Sequence, residues 1–142
     1  MAEPTITYRG TVYPWHCDHM GHMNVMWYVG KFDEATWHFF HALGITPALL
    51  AEGKRGMAGV EQSISYRHEL FAGDVVTVHT TLIELKEKSV RFRHEMRKAD
   101  TGEVAATTVL TAVHLDRTAH RACAFLPEVH ERAKAIPRAA AS

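Results

Sequence analysis

Covalent staples are nearly missing from this sequence. Its 142 residues include two cysteines, Cys17 and Cys123, which give neither a disulfide framework nor a C-x-x-C pair. Two unpaired thiols fit a reducing compartment, so a cytoplasmic location is expected. No stretch approaches the length of a membrane span. Met1 to Arg9 holds acidic and polar residues and no apolar core of signal-peptide length. Charge of one sign is also absent: 16 Lys and Arg balance 16 Asp and Glu. Binding to a phosphate backbone needs a basic excess, so nucleic acid is not expected as the main partner. There is no internal repeat and no long linker. The expectation is one domain over residues 1–136, large enough to bury a core without metal or disulfide, with an Ala-rich tail over 137–142 that frays.

What the chain does contain is periodicity. Thr5 to Tyr13 is rich in Thr, Tyr, Ile and Val and reads as a strand stopped by Pro14. A loop from Trp15 to Met23 follows. Tyr28, Phe32, Ala35, Phe39 and Leu43 then fall at helical spacing and predict a helix over Val25–Leu43, with Asn24 as N-cap and Gly44 past its end. Trp37 and Phe40 widen the apolar face, so the helix is expected to be well covered. Thr46-Pro47 opens a short helical turn closed by Gly53.

Beyond it come strands. In the first, Ala58, Val60, Ile64, Tyr66 and Leu70 are expected on one face, with Met57, Glu61, Ser63, Ser65 and Arg67 on the other. Turns at Ala72-Gly73-Asp74, Lys86-Glu87-Lys88 and Asp100-Thr101-Gly102 separate the strands that follow. Among these are Val75–Leu85, an alternating strand around Val90–Arg97, and Val104–Leu115, which is apolar on both faces like a central strand. Pro127 to Ala135 reads as a terminal helix. One strand, one long helix and a run of antiparallel strands predict an α+β domain, a sheet packed on a helix.

The chemistry concentrates in His16-Cys17-Asp18-His19-Met20-Gly21-His22-Met23-Asn24, just before the long helix. The first backbone N–H groups of a helix lack partners and sit at the positive end of its dipole, where they can hold an anion or a developing oxyanion. A carboxylate a few residues upstream faces the same point. Asp18 by itself reads equally as a loop or capping residue. His16, His19 and His22 invite a metal reading, but spacing of three matches no usual zinc arrangement and no Cys pair supports it; His16 and His19 are expected to be exposed and His22 to order the loop. Cys17 as a nucleophile is weighed against a small buried thiol, and the latter is preferred.

The pattern D-x-x-G-H-x-N, carried by Asp18, Gly21, His22 and Asn24 and followed by Tyr28, Phe32 and Glu34-Ala35, resembles the hotdog-fold acyl-CoA thioesterases of the 4-hydroxybenzoyl-CoA thioesterase type. Downstream, Ile64-Ser65-Tyr66-Arg67 followed by Ala72-Gly73-Asp74 resembles the same family. The resemblance covers about Tyr8 to Leu115. It implies a long helix wrapped by an antiparallel sheet, a homodimer or tetramer with sites at the subunit interface, and hydrolysis of an acyl-CoA thioester. It implies no cofactor and no metal, coenzyme A being part of the substrate. Asp18 is then the catalytic carboxylate, acting as nucleophile or general base. Gly21 to Asn24 shape the loop, and N–H groups from Val25 to Tyr28 bind the thioester oxygen. Many relatives carry a second Asn where this chain has Val25, a difference that bears on the acyl pocket. Glu61 is left open between a surface or interface carboxylate and a second acid near the site, and Arg67 is a candidate for the coenzyme A phosphates. Arg91, Arg93 and Arg97 read as a solvated face. Two other functions fit the fold: a non-catalytic acyl-binding module, and a hydratase or dehydratase, whose His–carboxylate arrangement is not found here.

Overall fold

The structure, a computed structural model, describes residues 5–139. Strand β1 (Thr5–Thr11) leads through a 3-10 turn (Pro14–His16) to helix α1 (Val25–Ala42) and a short α2 (Pro47–Gly53). Strands β2 (Arg55–Tyr66), β3 (Val75–Leu85), β4 (Ser89–Lys98), β5 (Val104–Asp116) and the two-residue β6 (Arg121–Ala122) follow, then α3 (Pro127–Ala133). The strands make one curled antiparallel sheet in the order β1-β3-β4-β5-β2, with β6 beside β5. β4 is the middle strand, β5 is an interior strand between β4 and β2, and β1 and β2 are the edges.

The helical periodicity is realised in the core. Tyr28, Phe32 and Ala35 meet Val76, Val78 and Met96 near the start of α1, while Phe39, Phe40 and Leu43 meet Leu82, Val90 and Phe92 near its end. α1 closes on Leu43, and Gly44 at φ +81° takes the left-handed conformation that favours glycine there. α2 ends instead on Lys54, with φ 52°.

Three expectations need correction. β1 stops at Thr11, because Val12 leaves the sheet and exchanges backbone hydrogen bonds with the Gly73-Asp74 turn. The faces of β2 are not those of simple alternation. Its register with β5 skips Val60, a bulge that reverses the parity. Met57, Gly59, Gln62 and Ile64 therefore share the face toward α1, and Ala58 joins Glu61, Ser63 and Ser65 on the outer face. The start of the tail is also tied down. Leu82 N–H donates to Pro137 O at 2.9 Å, and Ala139 N–H donates to Leu82 O at 2.8 Å; residues 140–142 lie outside the described residues.

A polar chain crosses the core. His94, fully buried on β4, has Nε2 at 2.9 Å from Thr36 Oγ1 and Nδ1 at 2.7 Å from Thr80 Oγ1. Thr80 Oγ1 lies 2.7 Å from Thr7 Oγ1. Thr36 donates to Phe32 O, so Nε2 must be the protonated nitrogen, donating to Thr36, while Nδ1 accepts from Thr80. Every member is satisfied with the imidazole neutral, and burial pushes its pKa down to about 3.

That depressed value has a definite consequence for stability. The unfolded chain binds a proton near the ordinary histidine pKa and the folded chain does not, so stability is complete above that pH and falls as the pH is lowered. Thermal melts should lose midpoint from about pH 7 to about pH 5. His94→Gln should melt lower at neutral pH yet show a flatter slope over that window. An unchanged slope would remove His94 as its source.

Candidate active site

The motif before α1 is a small closed loop, and its spacing has a geometric reason. Cys17 and Met23 form an isolated antiparallel bridge. Inside it, Asp18 N–H donates to His22 O at 3.3 Å and Gly21 N–H donates to Asp18 O at 3.0 Å, a tight turn of four residues. Gly21 closes the turn at φ +87°, where a Cβ would meet open space but a strained backbone. Asp18 Oδ1 accepts from Met20 N–H at 2.8 Å. The loop is held from outside by Met23 N–H to Leu70 O at 2.7 Å and Asn24 N–H to His16 O at 2.9 Å.

Asn24 joins this loop to the helix. Its Oδ1 accepts from Met26 N–H at 2.9 Å as the N-cap, and its Nδ2 donates to Asp18 Oδ2 at 2.7 Å. The Asn24 amide and then the Met20 N–H hold the Asp18 carboxyl below its ordinary pKa, so it is ionised at neutral pH. Of the first three backbone donors of α1, Met26 N–H is capped by this side chain and Trp27 N–H bonds Asn24 O at 3.0 Å. Among the described residues nothing accepts from Val25 N–H, and it is the open donor at the positive helix end.

Beside it lies a cavity of about 210 Å³ that includes His22, Val25, Tyr28, Tyr66, Arg67 and Glu69 in its wall. Tyr28 has its ring edge-on to Tyr66 at 5.1 Å and its hydroxyl 3.4 Å from His68 O. Burial pushes the Tyr28 phenol up to about 12, so it stays protonated. His22 bonds weakly, Nδ1 lying 3.4 Å from Met23 O and Nε2 3.6 Å from Glu69. Asp18, Gly21, His22, Asn24, Val25, Tyr28 and Arg67 are thus gathered around one helix end.

Glu61 is not brought there by this chain. It pairs with Thr111 on the outer face of the sheet, near Glu84 and Arg91. His16 is not exposed as expected. Its Nδ1 accepts from Tyr13 N–H at 3.0 Å, and its ring packs on Trp27 at 4.5 Å. Burial, and then the Lys31 charge, lower its pKa. Among the described residues no three His, Cys, Asp or Glu side chains converge as a metal site. Cys17 is half-buried, its thiol pointing toward Tyr13 O.

The sequence reading passed over two features. Lys31 is buried in α1, with Nζ donating to Tyr8 OH at 3.2 Å and Thr11 O at 3.3 Å, which ties the helix to β1. A lysine within three residues of Tyr28 and Phe32 was the available signal. The other flank of α1 is bare rather than covered: Val25, Met26, Val29 and Trp37 are exposed beside the unpaired edge of β2. There Val29, Asp33, Trp37 and Phe40 border a further cavity, of about 150 Å³, against β2, β4 and β5.

The chain is similar to known proteins over most of its length. Betainyl-CoA thioesterase of Pseudomonas aeruginosa is 24% identical over 139 residues, covering 98% of this chain and 87% of that protein. An L-carnitine dehydrogenase/betainyl-CoA thioesterase of Agrobacterium fabrum is 31% identical over 110 residues, which are 78% of this chain but 22% of that longer protein. A Staphylococcus aureus protein solved in complex with CoA superposes with a TM-score of 0.89 at 20% identity, covering all of this chain and 92% of its own. The family model described as the thioesterase-like superfamily matches residues 12–133, from the end of β1 to the end of α3. The chain therefore belongs to the thioesterase-like superfamily, with the hotdog thioesterase fold, and is a thioester hydrolase.

Proposed function

We propose that the protein hydrolyses an acyl-CoA thioester to the free acid and coenzyme A, with Asp18 acting on the carbonyl carbon and Val25 N–H holding its oxygen. One observation carries this reading: an ionised carboxylate and an open helix N–H are fixed to each other through the side chain of Asn24. An acyl-binding module has no use for that pairing. In the nucleophilic route, an Asp18 oxygen adds to the carbonyl, the C–S bond breaks, and the thiolate leaves a mixed anhydride that water opens. In the general-base route, Asp18 takes a proton from a water molecule as the water oxygen adds to the same carbon, and the C–S bond then breaks to release the acid and the coenzyme A thiolate. The depressed pKa keeps Asp18 ionised at neutral pH, as both routes require. The two curated relatives carry betainyl-CoA thioesterase in their names, which supports a short, positively charged acyl group. Arg67, in the wall of the cavity beside Val25, suits a coenzyme A phosphate.

The reading includes a homodimer. β2 presents twelve residues with one unpaired edge, and the apolar flank of α1 lies next to it. A second copy pairing there would continue the sheet and cover Val29, Val60 and Trp37. A tetramer formed by two such dimers is compatible, and Glu61 would then face a neighbour or the solvent. Light scattering at micromolar concentration should give at least twice the monomer mass; a stable monomer would overturn the assembly.

Asp18→Asn should lower turnover on the best acyl-CoA by roughly a hundredfold or more while changing substrate binding far less. Near-parental turnover would remove Asp18 from the mechanism. Asn24→Asp is the sharper variant. It keeps a cap for α1 but sets a second carboxylate against Asp18, so the acid limb of kcat/KM should move to higher pH. An unmoved limb would mean that Asn24 serves the helix alone. Activity should also survive exhaustive chelation, and loss restored by zinc would reopen the reading of His16, His19 and His22.

A further inference from the structure

Among the described residues, three cavities beside α1 are distinguished by their charge. The one beside Val25 has Arg67 in its wall. The one against β1, rich in aromatic rings, has the buried Lys31 in its wall opposite Glu34. The third, between α1 and β2, has Asp33 as its one charged lining residue. Its rings stand nearly at right angles: Trp37 to Phe40 at 5.4 Å and 87°, Phe40 to Phe92 at 5.8 Å and 78°. Phe40 and Phe92 are buried and fix the inner wall, while Trp37 is 44% exposed at the rim. The two neutral polar groups in the lining are already engaged, Thr36 with Phe32 O and His94, and Gln62 with Thr108.

From this we infer that Asp33, Trp37 and Phe40 form a subsite for a quaternary ammonium head on the acyl group. Such a cation keeps no N–H to donate, so it is recognised by aromatic faces and a nearby carboxylate, which is what this cavity offers. Its volume, about 150 Å³, is that of a cavity able to take a benzene ring. A compact trimethylammonium head fits that space and a fatty chain does not. The inference rests on the reading of Asp18 as the hydrolytic carboxylate and deepens it to a substrate class.

Distance then decides which Asp18 the subsite serves. Asp33 lies two turns along α1 from Val25, about 12 Å at the helical rise. A cation two bonds from the thioester carbonyl does not span that gap. The subsite of one protomer therefore reads the acyl group held at Asp18 of the other, across the bare flank of α1.

The test compares betainyl-CoA with tert-butylacetyl-CoA, its neutral isostere with carbon in place of nitrogen. The protein should prefer the cation in kcat/KM, and Asp33→Asn and Trp37→Leu should each cut that preference roughly tenfold, mostly through KM. A heterodimer of an Asp18→Asn chain and an Asp33→Asn chain, isolated through two different tags, contains one intact composite site and should recover the preference. Equal hydrolysis of both thioesters by the parent, or a preference that survives both variants, would overturn the subsite while leaving the thioesterase reading standing. A heterodimer no more selective than Asp33→Asn would overturn the shared site. Failure of the parent to hydrolyse any acyl-CoA in a broad panel would overturn the thioesterase reading, and the subsite with it.

Discussion

The amide of Asn24 determines most of what the site can do. Its oxygen must face the Met26 N–H and its nitrogen must face the Asp18 carboxylate. The opposite flip would put two donors together at one end and two acceptors at the other, so a single orientation satisfies both. That one side chain starts the helix, aims the carboxylate and keeps it ionised. It also consumes the Met26 N–H, which moves the open donor to Val25, the residue nearest the loop. The geometry of the proposed site and the capping of the helix are therefore the same set of hydrogen bonds, and neither can be loosened without the other.

Such a loop needs a rigid support, and the support is mostly apolar with one polar seam. Met23 and Val12 tie the loop to the β2–β3 connection through Leu70 and Asp74. Below, Phe32 stacks over His94 at 5.8 Å. The chain Thr7–Thr80–His94–Thr36 links β1, β3, β4 and α1. A satisfied buried network fixes registry, because slippage of any member strands a donor or acceptor in the core. Thr36 also lines the cavity that holds Asp33, so the seam orients one wall of that cavity from inside the protein.

How much of this the sequence disclosed depended on range. The D-x-x-G-H-x-N spacing is local chemistry: an Asx turn, a glycine at positive φ and a cap, each set by neighbours within seven residues. It was legible for that reason, as were α1 and the alternation of β4. The faces of β2 were not, because the bulge at Val60 is defined by register with β5, some fifty residues away. His16 was misjudged in part for a similar cause: its ring packs on Trp27 from the helix, although the hydrogen bond from Tyr13 N–H to its Nδ1 is local. Lys31 lies on an apolar face because a tyrosine hydroxyl and a carbonyl of β1 wait there. The Asp33 cavity was missed because its rings come from α1 and β4, and its charge looked like an ordinary solvated position.

The exposed flank of α1 connects these points. A helix that buries Phe32, Phe39 and Phe40 has enough apolar surface on one side to hold the fold. Val25, Met26, Val29 and Trp37 on the other side add nothing to that core and cost solubility in a monomer. They lie between the open Val25 N–H and the aromatic corner at Asp33, along the line a second copy would cover. The same surface can thus seal the reaction from water, join two sheets and bring a carboxylate of one chain to an acyl group held by the other. In the proposed composite site, Asp33 of one copy and Asp18 of the other come close only around a bound acyl group. The cationic head, two bonds from the thioester carbonyl, then lies between the two carboxylates, and its positive charge offsets the rise in the Asp18 pKa that a second carboxylate alone would cause. A neutral head of the same shape leaves that repulsion uncompensated, so charge and shape would be read together.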